Sequence, residues 1–376
     1  MRTHVRPLRQ HGATLIELMV AMAITLFLIA AAAYMYLGTR ETQRAIERNS
    51  SNTETGTFAL QLIGQEIMKA GYYPAISSRR TSDEKFPKLA SYPPLVLEEN
   101  RTAASTTDWS TPGGTGGIYI SGIYGCDSAK FLPVTGACAD PVDGAPDSIV
   151  INYFTTDTAA MQTANATGDR YDCTGADVGN DNSNANRLNA ANPLAPPLQP
   201  LLVSNRYGLN ATNMQVERQT VATLSLACNG NGASGSIVNG ANTNNTYQPM
   251  LAGIEDMQFT YGVFSSTTDT GTRTPDKFYT ATEITGKTGV KPLPTLSIDN
   301  NLGVVPVPPW SRVSAVRVCI MTKSVGASPK IADQTGKLRT YVDCNDKTVT
   351  QLASDTALHK RFVQIFPVRN QLSQVF

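Results

Sequence analysis

The chain of 376 residues has room for a membrane segment plus one large head or two smaller domains, and its 31 basic and 30 acidic side chains leave a formal net charge of +1. Arg2, Arg6 and Arg9 lie in an opening stretch without an acid, so the remainder holds 28 basic against 30 acidic groups, a balance that argues against a nucleic-acid surface. Only 16% of residues are charged while Gly, Asn, Thr and Ser abound, the composition of a loop-rich exported protein rather than of a helical cytosolic enzyme.

Residues 13–37, ATLIELMVAMAITLFLIAAAAYMYL, contain a single charge, Glu17. A helix of that length, at about 1.5 Å per residue, exceeds the roughly 30 Å hydrocarbon core of a bilayer. The arginines ahead of it favour a cytoplasmic N-terminus and place everything after Leu37 outside the cytoplasm. Three readings fit such a segment: a signal peptide removed near the alanine run at 30–33, a plain signal anchor, and a short leader cut before the apolar stretch. Glu17 decides among them. A carboxylate in an apolar run costs of the order of 2.5 to 3.5 kcal/mol at the bilayer centre and less near its edge, and only the third reading gives that charge a task.

The string Gly12-Ala13-Thr14-Leu15-Ile16-Glu17, behind a short basic leader and ahead of the apolar helix, resembles the type IV prepilin motif. The resemblance implies that residues 1–12 are a leader cut after Gly12 by a dedicated prepilin peptidase and that the new N-terminus at Ala13 is methylated. It further implies that Glu17 meets the N-terminal amine of a neighbouring subunit. The family usually has Phe or Met where this chain has Ala13; the peptidase chiefly demands the small Gly12. An ion pair in low dielectric is strong once formed and an unpaired Glu17 penalises the unassembled state, so the carboxylate is expected to act as a register pin for stacked helices.

Beyond Leu37, Phe58 with Leu62, and Ala59 with Ile63 and Ile67, share helical spacing, and Gly71 and Pro74 supply a stop. Residues 38–73 are therefore expected to continue the helix amphipathically and to lay an apolar stripe on a sheet. Residues 49–57, NSSNTETGT, are poor helix formers and leave a break in that helix open.

The remainder, 74–376, reads as a periplasmic head of strands and loops. Ala222, Leu224, Leu226 and Cys228 alternate with Thr223, Ser225 and Ala227, and Met257, Phe259, Tyr261 and Val263 alternate with Gln258, Thr260 and Gly262. Further strands are expected at 117–124, 148–155, 313–321, 338–342 and 362–366. The fold class expected is α+β: a long N-terminal helix packed on an antiparallel sheet with long Asn- and Gly-rich loops. A separate small subdomain within 75–145 is left open.

Cys126, Cys138, Cys173, Cys228, Cys319 and Cys344 form an even set with no C-x-x-C pair, which disfavours zinc and thioredoxin-like sites and fits disulfides in an oxidising compartment. Pairing sequence neighbours, Cys126 with Cys138, Cys173 with Cys228 and Cys319 with Cys344, closes the smallest loops. Six cysteines nevertheless allow about 15 connectivities, and spacing alone does not fix one.

Signs of catalysis or of a cofactor are scarce, and neither is expected. His359 is the only histidine outside the leader, so a triad or histidine metal site would rest on one imidazole; between Leu358 and Lys360 it is expected to be a surface or loop residue. Residues 230–235 fit G-x-G-x-x-G after a strand, but the following SIVNGANTNN opens no helix to hold a pyrophosphate. Asp177 and Asp181, with Asn180, Asn182 and Asn184, offer oxygens to Ca²⁺ without EF-hand spacing, and a solvated loop is the favoured reading. Asn165, Asn210 and Asn244 begin N-x-T strings and are assigned no role.

QEIMKAGYY at the helix end, MLAGIEDMQFTYGV, PPWSRVSAVRVCIMTKS and the terminal KRFVQIFPVRNQ look like the PilW family of minor type IV pilins, which is similar to the J-type minor pseudopilin of type II secretion. The resemblance implies a subunit that joins other minor pilins and the major pilin in the inner membrane, forms a tip complex and lowers the barrier to starting a filament. A pilus-tip adhesin binding through the Asn- and Gly-rich loops, and a minor pseudopilin of type II secretion, are the alternatives. A membrane-anchored periplasmic enzyme would need catalytic polar clusters that the sequence lacks.

Overall fold

Helix α1 runs without interruption from Leu15 to Lys69 in a computed structural model of the chain. The structure describes residues 14–72, 122–133, 137–154, 171–178, 202–216, 219–232, 246–264, 274–286, 293–294, 296–300, 303–307, 309–324, 338–352, 355 and 357–370. At about 1.5 Å per residue, the 55 residues of α1 reach about 82 Å. The weak stretch 49–57 is helical as well. Tertiary contacts supply what its propensity lacks: the Asn52 amide donates to the Leu358 carbonyl at 2.9 Å, and Lys360 Nζ donates to Thr53 Oγ1 at 2.6 Å. Gly56 and Gly64 make room on α1 for the rings of Phe362 and Phe366, which a Cβ at either position would overlap.

The chain forms two units, one up to Ser50 and one from Ser51 onward. The first unit is the N-terminal part of α1. Among the described residues the second unit takes in the rest of α1 and fifteen strands, in chain order β1 (Ile123–Cys126), β2 (Phe131–Leu132), β3 (Ala137–Cys138), β4 (Ser148–Phe154), β5 (Leu202–Val216), β6 (Gln219–Gly230), β7 (Gln248–Ala252), β8 (Ile254–Val263), β9 (Lys277–Tyr279), β10 (Leu296–Asn300), β11 (Gly303–Val307), β12 (Val313–Lys323), β13 (Thr340–Val342), β14 (Thr348–Thr350) and β15 (His359–Pro367). A short helix α2 (Ala281–Thr285) and a 3₁₀ turn (Pro309–Arg312) are inserted among them.

The strands form two main antiparallel sheets where the sequence led us to expect one. The first has the order β1-β4-β5-β6-β7 and the second the order β15-β12-β8-β9; β2-β3, β10-β11 and β13-β14 are separate hairpins. Gly253 is the seam. With φ of +91° it turns the chain from β7 into β8, donates to the Leu224 carbonyl of the first sheet and accepts the Lys323 N–H of the second.

The alternation at 257–263 is the inward face of β8, where Met257, Phe259 and Tyr261 are buried. In register they oppose Ile320, Val318 and Val316 of β12, whose other neighbours include Phe362 and Phe366 of β15. These side chains share one core with Ala59, Ile63 and Ile67 of α1, so the apolar stripe expected on the helix does face a sheet. The strands expected at 148–155, 222–228, 313–321, 338–342 and 362–366 fall on β4, β6, β12, β13 and β15. Of 117–124 only the last residues are described, in and beside β1, and the described part of 75–145 contributes Ile123, Tyr124 and Phe131 to the common core.

Gly64→Ala is expected to lower stability by about 1 to 3 kcal/mol despite alanine's better helix propensity, because Phe366 is buried and its ring must move off a packed position. Adding Phe366→Leu should recover part of the loss; thermal unfolding of the full-length proteins in detergent checks both.

Candidate functional site

Gly12 and Ala13 lie outside the described residues, and the N-terminal motif is visible from Thr14. Thr14 immediately precedes the first helical residue, and Glu17 stands three positions further on. The Glu17 N–H donates to Thr14 Oγ1 at 3.3 Å, while the Thr14 N–H and hydroxyl both donate to Glu17 Oε2, at 3.1 and 3.2 Å. This is a capping box: two of the orphan donors at the helix start are satisfied reciprocally, and a carboxylate sits at the positive end of the helix dipole. The T-x-x-E spacing is the sequence signal for this pairing; the charge of Glu17 taken alone does not reveal Thr14 as its local partner.

From Leu15 to Leu37 the side chains of α1 are exposed, with Leu15 and Phe27 each at 76% and Tyr34 at 82%. A continuous apolar surface of this size is not tolerated in water. The helix is long and apolar enough to cross a membrane by length and composition. Within it, the Thr25 hydroxyl donates to the Ala21 carbonyl at 2.7 Å, so this polar group is satisfied inside the helix itself.

In the head the structure pairs Cys126 with Cys138, Cys173 with Cys228 and Cys319 with Cys344, with Cα separations of 5.6, 6.3 and 5.6 Å. The first joins β1 to β3, the second ties the 171–178 loop to β6, and the third ties the β13–β14 hairpin to β12. Asp172 organises the second loop: its Oδ1 accepts the Thr174 and Ala176 N–H groups, and its Oδ2 accepts the Gly232 N–H at 2.7 Å. The start of the G-x-G-x-x-G string is thus the end of β6 held by that carboxylate. Of the oxygen-rich residues weighed for Ca²⁺ only Asp177 is described, bridged by backbone to Tyr171; Asn180, Asp181, Asn182 and Asn184, like Asn165 and Asn244, lie outside the described residues. Asn210 belongs to β5, where its Oδ1 accepts from Lys130 and its amide donates to the Tyr247 carbonyl.

His359 is not a surface or loop residue. It opens β15 with a side chain 1% exposed, its ring stacked 4.3 Å from that of Tyr341. Nδ1 is hydrogen-bonded to Glu255, and Nε2 lies 2.9 Å from Asp355 Oδ2, itself 3.2 Å from Lys323 Nζ. The residues beside His359 in the sequence carry no trace of Glu255, which is 104 positions away. With a carboxylate at each ring nitrogen, the doubly protonated imidazolium is the form that satisfies both. Burial opposes that charge, but the hydrogen bonds and charges of Glu255 and Asp355 outweigh it and raise the pKa above 6.5. Asp147 is also perturbed: burial pushes it from 3.8 up to about 8, although it accepts the N–H groups of Phe259 and Ser128.

Both shifts act in one direction. A histidine raised in the folded state contributes stability that is complete below pH 6.5 and lost as pH climbs through its folded value. A carboxyl raised to about 8 costs stability as pH climbs from 3.8 towards that value. The protein is therefore expected to weaken as pH rises from 6.5 to 8, by at most about 1.4 kcal/mol per pH unit for each group. His359→Gln should flatten part of that slope and Asp147→Asn another part, as measured by chemical denaturation at a series of pH values.

Residues 209–370 match the family model for type IV pilus-assembly protein W, and residues 7–33 match the model for the prokaryotic N-terminal methylation motif. No curated protein matches the chain. Among solved structures, a type IV-like pilin from Thermus thermophilus is similar at 11% identity over 61% of this chain and 82% of that one, with a TM-score of 0.24, too low to carry an argument. The methylation-motif match takes in Gly12, Ala13, Thr14 and Glu17, and the other match takes in β8, β12 and β15, which form most of the second sheet. A capped apolar helix bearing the N-methylation motif, followed by an antiparallel head whose second half matches the pilus-assembly protein W model, marks this chain as a type IV pilin-like protein with an N-methylation motif and a PilW domain.

Proposed function

We propose that this protein is a minor pilin that joins other minor pilins and the major pilin in the inner membrane, stands at the pilus tip and primes filament assembly without catalysing a reaction. In this reading residues 1–12 are the leader removed after Gly12, Ala13 is the methylated N-terminus, 13–37 is the membrane and filament-core helix, 38–73 its amphipathic continuation and 74–376 the periplasmic head. The arginines before the apolar run and the disulfides of the head support that topology.

The observation that carries the proposal is the Thr14–Glu17 box at the start of an exposed apolar helix. Thr14 satisfies the hydrogen-bonding capacity of the carboxylate in part and leaves its charge uncompensated. The N-terminal amine of a neighbouring subunit supplies the missing charge, and the resulting ion pair forms only when the two helices stack in register. Assembly is thereby rewarded at one axial offset and penalised at others.

The N-terminus of the membrane-extracted protein is expected to be an N-methylated Ala13, and Gly12→Arg is expected to retain the leader; protein mass spectrometry checks both, and an intact Met1 or a start near Tyr34 would sink the reading. Glu17→Ala is expected to be processed normally yet to lower surface filaments at least about tenfold, since it removes one partner of a desolvated pair. Deleting the gene should abolish filaments that return when retraction is blocked; retained pili with failed protein export would assign the chain to a secretion pseudopilus instead, and normal pili with lost adhesion to a tip adhesin.

A further inference from the structure

Strands β5 and β6 are paired along their whole length, from Asn205 with Gly230 to Val216 with Gln219. Their partners stop much earlier. β4 reaches only Tyr207 of β5, and β7 reaches only Ser225 of β6. Past those points the two strands run on as a two-stranded arm, roughly 20 Å long at the usual rise per residue. Ala211, Asn213, Met214, Thr220 and Ala222 are exposed along it. Among the described residues no strand lies beside β5 beyond Tyr207. A two-stranded ribbon is marginal in water, and a third strand is what makes it stable.

The two strands of the arm carry neither of the common devices that keep an open edge from pairing, charge and proline; its charged residues, Glu217 and Arg218, stand in the connection between them. Residues 208–216 and 219–230 contain no charged residue and no proline. The other edges of the two main sheets are guarded: β15 carries Lys360, Arg361 and Pro367, β7 carries Pro249, β9 is three residues long with Lys277, and β1 is four residues long and buried. A long edge without charge or proline, where the other edges of the two main sheets carry such devices, is open to an added strand.

The phase of the ladder says which groups are open. Only two residues separate Val216 from Gln219, so this pair closes a two-residue hairpin and bonds across the ribbon, as do Met214 with Val221 and Thr212 with Thr223. The alternate residues of β5, Ala211 and Asn213, therefore turn their N–H and C=O groups away from β6. That edge continues the line on which Tyr207 meets Ile149 of β4.

We infer that the β5 edge of this arm, around Ala211 and Asn213, receives an extended strand from a neighbouring pilin subunit, which takes the place in the sheet where β4 ends. The inference rests on the minor-pilin reading above and names its contact: main-chain hydrogen bonds supply affinity without charge, and alternate side chains of the incoming strand select the partner.

The test places the photo-reactive residue p-benzoylphenylalanine at Ala211 of the full-length protein in piliated cells, alone and combined with Asn213→Pro or Asn213→Ala. Proline removes the outward N–H while leaving the cross-ribbon bonds in place. The expected result is an adduct with another pilin whose yield falls about fivefold in the proline variant, the effect of one lost inter-strand hydrogen bond, and is unchanged in the alanine variant. Capture of this chain's own segments alone, or equal adduct in the proline variant, would overturn the inference. Processing at Gly12 and the filament loss of Glu17→Ala are read in the same strains: if both hold while Asn213→Pro is silent, the arm contact alone falls, whereas normal filaments after gene deletion would remove the minor-pilin reading itself.

Discussion

The head depends on one long-range contact, the closure of β15 onto α1. Phe362 and Phe366 fit where Gly56 and Gly64 leave the helix bare, Lys360 reaches Thr53, and just beyond the strand Asn370 donates to the Met68 carbonyl 302 positions away. Because the last strand seals the face built by β8 and β12, the second sheet has no finished core until nearly the whole chain is present. Contacts of such sequence separation are entropically expensive to form. The three disulfides, by contrast, join residues only 12, 55 and 25 positions apart.

Polar groups inside the head are arranged on the same logic of mutual satisfaction. Asp147, immediately before β4 of the first sheet, ties that strand to β8 of the second: its Oδ2 accepts the Phe259 N–H and its own N–H donates to the Met257 carbonyl. Asn205, buried in β5, accepts the Cys173 N–H and donates to Glu66 of α1 at 2.7 Å, joining loop, sheet and helix through one amide. His359 does the same at the far end of β15, between carboxylates on two different segments. Such networks add little net stability over an apolar core but penalise any other arrangement, because displacing one member leaves the rest buried and unpaired.

The N-terminal helix solves a different problem. In a membrane-spanning segment a backbone donor has no water to turn to, so the helix start must be capped from within the chain. Thr14 and Glu17 do so with the motif that elsewhere caps helices in water, and the head contains a second example, where Thr280 and Glu283 close the start of α2. The two boxes differ in setting. Glu283 lies in a polar part of the head beside Asp127, which also accepts N–H groups from α2, whereas Glu17 is surrounded on its own helix by exposed apolar side chains. In an apolar surrounding the same local device carries a larger uncompensated charge penalty than it does in the head.

The features that repeat locally in the chain were legible without coordinates. The apolar run with Glu17, the helical spacing of Ala59, Ile63 and Ile67, and the period-two burial of Met257, Phe259 and Tyr261 each follow from the geometry of a single element against a single environment. What stayed hidden depends on partners remote in sequence. β5 was invisible because it is buried through polar residues, Ser204, Asn205 and Arg206, whose hydrogen-bond partners lie in other elements. The continuity of α1 through 49–57 was undecided because propensity there is weak and the deciding contacts come from β15 and the residue before it. The division of the strands into two sheets at Gly253, the choice of one disulfide set among many and the burial of His359 belong to the same class. Sequence by itself determined which stretch is long and apolar enough to cross a membrane and where a helix or strand period is regular, since hydrophobic period is a property of neighbours; only the tertiary structure decided which elements share an edge, since that is settled by packing and hydrogen bonds between residues far apart in the chain.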